Sequence, residues 1–190
     1  MSDFEFSPSE QQLLLDIAKD AIEFGLHHQT PMTVALEELP ESLRLDAASF
    51  VTLHQNGNLR GCIGSLQAHR PLAQDVASNA FSAAFQDPRF APVSEFDVAE
   101  LHYHLSILSA TSPMTFSDEA DLLAQIRPGI DGLVLQDGFN RGTFLPSVWE
   151  QLPDRVRFLS HLKQKAGLPA DYWSSELKVD RYTVTDIEQP

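Results

Sequence analysis

The sequence holds a single cysteine, Cys62, in 190 residues. One thiol excludes an intrachain disulfide and any zinc site built on a cysteine cluster. Apolar runs are short. None approaches the roughly 18 residues that a bilayer span requires, so no membrane association is expected. Basic residues are scarce, 13 against 27 acidic ones, for a formal net charge of −14. Phosphate backbones demand clustered lysine and arginine, so no nucleic-acid partner is expected either. The chain has no Gly-x-x-x-x-Gly-Lys loop, no dinucleotide glycine fingerprint, no serine-nucleophile elbow and no His-Glu-x-x-His, which removes the commonest nucleotide and hydrolase chemistries. The start, Met1-Ser2-Asp3-Phe4-Glu5, is acidic without an apolar signal core. Together with the lone thiol this gives the expectation of a soluble, reduced, cytoplasmic protein.

What is present reads as an ordinary globular chain, 43% hydrophobic and 21% charged. Its length suits one domain or two small subdomains sharing a core. Residues 1–58 carry ten acids but only Lys19 and Arg44 as bases. The densest basic stretch, Arg155, Arg157, Lys163 and Lys165, falls on a predicted helix and is expected to be a solvated face.

Ser7, Pro8 and Glu10 form a helix start with a capping box, followed by apolar residues from Leu13 to Ile22 at helical spacing, with Gly25 as the expected stop. Residues 29–48, which hold Pro31 and Pro40, read as a long loop or covering arm. Strand-like Phe50–His54 and Leu59–Ile63 flank Asn56-Gly57, the dipeptide of a tight hairpin turn. A second copy follows at an offset of 81 residues: Gln55 matches Gln136, Asn56 Asp137, Gly57 Gly138, Arg60 Arg141 and Gly61 Gly142. Turns are expected at Asn56-Gly57 and Asp137-Gly138. Each hairpin leads into a helix, the first opening at Pro71 and stopping at Asp87-Pro88, the second capped by Asp154 and ending at Gly167, with a short helix at Pro146–Leu152 before it. Strands are expected at Leu101–Leu108 and Tyr182–Ile187. The pattern is a hairpin–helix–strand unit occurring twice, over about 50–110 and 131–188. It implies an α+β fold of antiparallel sheets with outer helices and two intertwined subdomains in a single domain over 1–190.

A turn at Asn56-Gly57 with regular pairing sets Leu53 opposite Arg60 and Val51 opposite Cys62, so Cys62 is expected to share a face with Val51, Leu53 and Arg60. Two readings of Cys62 stay open. Cysteine suits a small buried apolar site; a partly exposed thiol near Arg60 suits nucleophilic chemistry. Gly61 and Gly64 would let a ligand approach the backbone. Arg60 and Arg141, at equivalent repeat positions, are expected either to hold a carboxylate or phosphate in one shared cleft or to lock each hairpin to a neighbouring acid. On the first of these readings, Arg60→Ala leaves the fold intact. His102 and His104 stand two apart on a strand, but no third ligand follows at a recognisable spacing, so no metal and no cofactor is expected. Asp87 and Arg89 read as a brace of the turn that ends the first helix.

Leu59-Arg60-Gly61-Cys62-Ile63-Gly64 resembles the signature of the AMMECR-like family, protein A of the AmmeMemoRadiSam system. The likeness continues through Phe50-Val51-Thr52-Leu53, Asp87-Pro88-Arg89-Phe90, Thr143–Trp149 and Lys165-Ala166-Gly167-Leu168, from about residue 8 to 188. It implies an α+β fold with internal duplication, partners of the Memo-like and radical-SAM kinds, and a site around Arg60, Gly61, Cys62 and Gly64. It does not imply a reaction. Two departures stand out: Gly142 occupies a position where alanine is usual, and Ser106-Ile107-Leu108 follows His102 and His104 where acidic or apolar residues are commoner, which makes these histidines poor candidates for a family-wide site. The chain is expected to be the small ligand-binding or catalytic component of such a three-part system, or else a non-catalytic module docking onto those partners.

Overall fold

The computed structural model describes residues 5–189; the acidic start from Met1 to Phe4, and Pro190, lie outside the described residues. In chain order the elements are α1 (Pro8–His28), α2 (Glu41–Arg44), β1 (Ala48–Gln55), β2 (Asn58–Gly64), α3 (Leu72–Phe85), α4 (Glu95–Val98) and β3 (Leu101–Leu108). There follow β4 (Ser112–Pro113), α5 (Glu119–Gln125), β5 (Gly132–Asp137), β6 (Asn140–Phe144), a 3-10 turn at Pro146–Glu150, α6 (Arg155–Lys165), β7 (Lys178–Tyr182) and β8 (Val184–Glu188). The strands form two four-stranded antiparallel sheets, β2-β1-β3-β8 and β4-β7-β5-β6. The fold is α+β, as the sequence pattern implies. No helix of the described residues is long and apolar enough to cross a membrane.

Two compact units result, one of Ala110–Val184 and one of the chain up to Ser109 together with the segment from Thr185. In the latter, β1 and β3 turn Val51, Leu53, Tyr103, Leu105 and Ile107 inward, and all five are buried in one cluster with α1 and α3. Helix α1 begins as expected, with Ser7 and Glu10 closing a capping box. It does not stop at Gly25. It runs to His28 and ends at Gln29, whose φ of 55° is left-handed. Gly25 serves another purpose: a Cβ there would lie 2.5 Å from the Phe85 ring and 2.7 Å from Phe81, so the missing side chain lets α3 cross close to α1. A buried carboxylate ties β1 to α3. Asp75 accepts from the Ser49 N–H (2.9 Å) and hydroxyl (2.7 Å) and from Asn79 (2.9 Å), and pairs with Arg70 at 2.7 Å.

The second unit packs Leu133 and Leu135 of β5 against Phe158, Leu159 and Leu162 of α6. Trp149 stacks on Phe158 at 3.6 Å, and its indole N–H reaches the Asp131 carbonyl at 2.8 Å. One member of the basic stretch departs from the expected solvated face. Lys163 has a side chain of 0% exposure and pairs with Glu119 at 2.6 Å, because its place on α6 is covered by α5. The strand expected over Tyr182–Ile187 is two strands, β7 and β8, belonging to different sheets.

Both hairpins are present, with one difference in register. Gln55 pairs with Asn58, and the first turn is Asn56-Gly57 with φ values of 53° and 76°, both in the region a type I′ turn requires. In the second, Asp137 pairs with Asn140, so the turn is Gly138-Phe139 and not Asp137-Gly138. The cause lies in the length between fixed points. Leu53 pairs with Gly61 and Leu135 with Gly142, and each leucine is fully buried. The first loop between such a pair is one residue longer. The surplus is taken up as a β-bulge at Arg60, where the register shifts between Leu53 and His54.

Gly61 and Gly142 are thus equivalent, and each meets helix backbone. A Cβ at Gly61 would collide head-on with the Ala83 carbonyl in the last turn of α3; one at Gly142 would stand 2.8 Å from the Ala166 nitrogen, where α6 is ending, a shallower overlap. A deep clash with backbone needs a larger shift than a shallow one. Gly61→Ala is therefore expected to cost about 3 kcal/mol and Gly142→Ala clearly less, read from urea midpoints. Equal losses would contradict the packing account.

Candidate functional site

Strand β2 lies at the edge of its sheet, and an edge strand leaves alternate N–H and C=O groups unpaired. At Cys62 both are taken. The Asp87 carboxylate accepts the Cys62 N–H at 3.0 Å, and Arg89 Nη2 donates to the Cys62 carbonyl at 3.3 Å. Asp87 and Arg89 also hold one another, Nε to Oδ1 at 3.0 Å and Nη2 to Oδ2 at 2.7 Å. The turn after α3 acts here as a substitute strand. Asp87 has a side chain of only 2% exposure, whereas Arg89 is 54% exposed. The Arg89 hydrogen bonds outweigh burial and, with the Cys62 and Arg89 N–H groups, hold the Asp87 carboxyl well below the usual carboxylate range. Asp87 in turn raises Arg89, with a smaller electrostatic contribution from Cys62.

The bulge changes which side Cys62 faces. Gly61 opposes Leu53 and is turned to α3, and Cys62 opposes Thr52. Cys62 therefore stands on the sheet face away from the helices, not with Val51 and Leu53, and regular pairing from the turn gave the wrong partner by one residue. Thr52 Oγ1 donates to the Cys62 sulfur at 3.3 Å. The thiol is partly exposed. Because the Cys62 N–H is directed outward to Asp87, the Thr52–Cys62 pair is a non-hydrogen-bonded one, in which side chains stand closest. Gly64 faces Phe50, whose ring fills the space a Cβ would take. Packing within the protein accounts for both glycines of the hexapeptide.

Arg60, the bulged residue, is directed elsewhere. Its Nη1 donates to the Ala91 carbonyl at 2.7 Å and its Nη2 to the Pro92 carbonyl at 3.3 Å and to Asp97 at 3.4 Å. Its side chain is 15% exposed. Asp97 caps α4 through the Ser94 N–H and hydroxyl, which with Gln55 bring its carboxyl down to about 2. Arg60 thus ties the hairpin to the 91–97 segment. Arg141 stands exposed on β6 opposite Gln136, in the other unit.

Across the same sheet face, Thr52 opposes His104 on β3. His104 Nε2 lies 2.9 Å from Asp186 Oδ1 on β8, and the Ser106 hydroxyl donates to that oxygen at 2.7 Å. Asp186 raises the His104 pKa through this hydrogen bond, against burial, with Glu188 adding at 3.8 Å. Among the described residues no three His, Cys, Asp or Glu side chains are placed to hold a metal ion. The sequence singles out Cys62 and the turn brace as candidates and gives no sign of their neighbours Thr52 and Asp186. Only the bulge reveals the first, and the second lies 82 residues from its histidine.

A protein-family model described as AMMECR1 matches residues 15–187. A protein of Methanothermobacter thermautotrophicus is 36% identical over 178 residues, covering 93% of this chain and 92% of its own. One of Thermotoga maritima is 38% identical over 151 residues, covering 78% and 82%. The crystal structure of an uncharacterised protein of Pyrococcus horikoshii superposes with a TM-score of 0.85 at 29% identity, over 96% of this chain and 93% of that one.

Two outcomes follow from the geometry. Arg60→Ala strips two carbonyls and a carboxylate of their donor and is expected to cost about 2 kcal/mol in urea unfolding, so the variant does not leave the fold untouched. Asp87 has a folded pKa below its unfolded one, so its contribution is complete above the unfolded value near about pH 4 and is lost as pH falls through the folded value. The stability gap between wild type and Asp87→Asn should be widest near neutrality and narrow as the pH drops below about 4. A gap that stays constant with pH would refute the clamp.

Proposed function

The chain belongs to the AMMECR1 family, and from that premise we propose that it is the small ligand-binding or catalytic component of a three-part system with Memo-like and radical-SAM proteins, working through the Cys62 thiol in the cytoplasm. One observation carries this reading. The sulfur of Cys62 is partly exposed and receives a hydroxyl from Thr52, while the backbone on which it sits is held at both polar groups by Asp87 and Arg89. The clamp closes the sheet edge and also fixes the backbone that aims the sulfur. A reacting thiol depends on such fixing, because a misplacement of about 1 Å can cost two orders of magnitude in rate. The half-exposed Arg89 guanidinium beside it suits a ligand with an anionic group. A role in nucleic-acid binding is not part of the proposal, given the net charge of −14.

The docking-module reading is favoured by a different observation, the exposure of Phe96 (93%) and of Phe139 at the second hairpin turn. Thiol labelling separates the two. Under the proposal, iodoacetamide modifies Cys62 of the native protein at neutral pH at a rate within about tenfold of the urea-unfolded chain. Labelling that requires unfolding would leave only the docking module.

A further inference from the structure

Each strand of the β2-β1-β3-β8 sheet contributes one polar side chain to a single row on the face turned from the helices. Cys62 opposes Thr52, Thr52 opposes His104, and His104 is bonded to Asp186. We propose that His104, oriented by Asp186, takes the proton of the Cys62 thiol through the hydroxyl of Thr52. The inference rests on the reading of Cys62 as a working thiol and supplies the base which that reading lacks.

Strand spacing sets the geometry. Cys62 and His104 are two strands apart, about 10 Å between backbones, which is too far for a direct hydrogen bond. Thr52 stands between them in the strand register, and its hydroxyl reaches the Cys62 sulfur at 3.3 Å. A threonine hydroxyl has one hydrogen and two acceptor positions and rotates to suit its partners, so it can accept from one neighbour while donating to the other. Neutral His104 with Nε2–H donated to Asp186 leaves Nδ1 as the acceptor. In the step, the S–H bond of Cys62 breaks and its proton passes to Thr52 Oγ1. The Thr52 O–H proton passes to His104 Nδ1. The products are a thiolate and an imidazolium, and no electron is gained or lost. Asp186 balances the imidazolium, held in place by Ser106, and Glu188 lies within 3.8 Å of it. On the thiolate side Arg89 offers positive charge, itself paired with Asp87. Arg60 is spent on Asp97. His54, opposite His102, is the remaining titratable group of β1 on this face. His104 is thus a positioning residue that acts through Thr52.

The test is the pH dependence of Cys62 alkylation by iodoacetamide in the full chain, from roughly pH 5 to 9, for wild type, His104→Gln, Thr52→Val, Thr52→Ser and Asp186→Asn. Circular dichroism and urea midpoints confirm folding. The expected wild-type curve retains reactivity near neutrality, where an ordinary thiol with a pKa of about 8.5 is mostly protonated. His104→Gln and Thr52→Val should each lower the rate at pH 7 about tenfold and displace the curve upward by about one unit. Thr52→Ser should restore it, and Asp186→Asn should fall between. A reactive wild type whose curve superposes on those of His104→Gln and Thr52→Val overturns the relay and leaves the thiol reading standing. A native wild type that does not react at all overturns both.

Discussion

One surplus residue in β2 governs the chemistry of this sheet. Gly61 must face α3, because only a residue without a side chain fits beneath the Ala83 carbonyl. The turn at Asn56-Gly57 is equally fixed by its backbone. The distance between these two points does not suit regular pairing, so Arg60 bulges out. A one-residue change of register reverses the face of every later side chain. Cys62 is thereby carried from the buried face, where it would be a small apolar filler beside Val51 and Leu53, to the face of Thr52 and His104. The bulge has a second effect: it frees Arg60 from the sheet faces and sends its guanidinium to the Ala91 and Pro92 carbonyls.

The position of β2 at the sheet edge makes the Asp87–Arg89 pair necessary. An edge strand that opens on Asn58 and an exposed Leu59 and continues through two glycines would be poorly fixed on its outer side. The turn following α3 solves this with one carboxylate and one guanidinium in place of a fifth strand. Side chains can do what a strand cannot: Asp87 is buried while Arg89 keeps half its surface open. The edge is closed against another chain, yet positive charge remains beside the thiol.

Much of the architecture could be read from the residues. Capping chemistry located α1 and α6, an Asn-Gly pair located the first turn, and alternation in Leu101–Leu108 gave β3 with its buried face. Failures arose where tertiary contact overrode local pattern. Gly25 looks like a stop until Phe81 and Phe85 are seen to need its space. Lys163 looks solvated until Glu119 covers it. The hexapeptide around Cys62 could be read as a strand, but the face that Cys62 takes depended on a bulge with no local signature, since Leu59-Arg60-Gly61 reads as unbroken strand. Asp186 carries no signal of its own on an exposed edge strand; only the sheet order brings it to His104.

The duplicated unit shows what the row is worth. Taking Gly142 as the counterpart of Gly61, Thr143 stands where Cys62 does, Val134 where Thr52 does, and Asp180 where His104 does, with Pro113 beyond. The strand order is the same and the pairing is antiparallel throughout. The chemistry is not. Thr143 turns its hydroxyl to the Leu133 carbonyl at 2.9 Å and lies 3.2 Å from the Tyr182 hydroxyl, and burial pushes that phenol up to about 12. Val134 is buried and offers no hydrogen bond at the place where a hydroxyl would bridge its neighbours. A scaffold repeated twice therefore carries a continuous polar row once. The second sheet also lacks the bulge that turns a residue outward, and its row is closed by self-satisfied hydrogen bonds and an aliphatic side chain. Selection for folding alone would favour that second solution in both copies, because a buried or half-buried polar row must satisfy every member. The cost of keeping Cys62, Thr52, His104 and Asp186 aligned in the first copy is what a site would impose and a packing role would not.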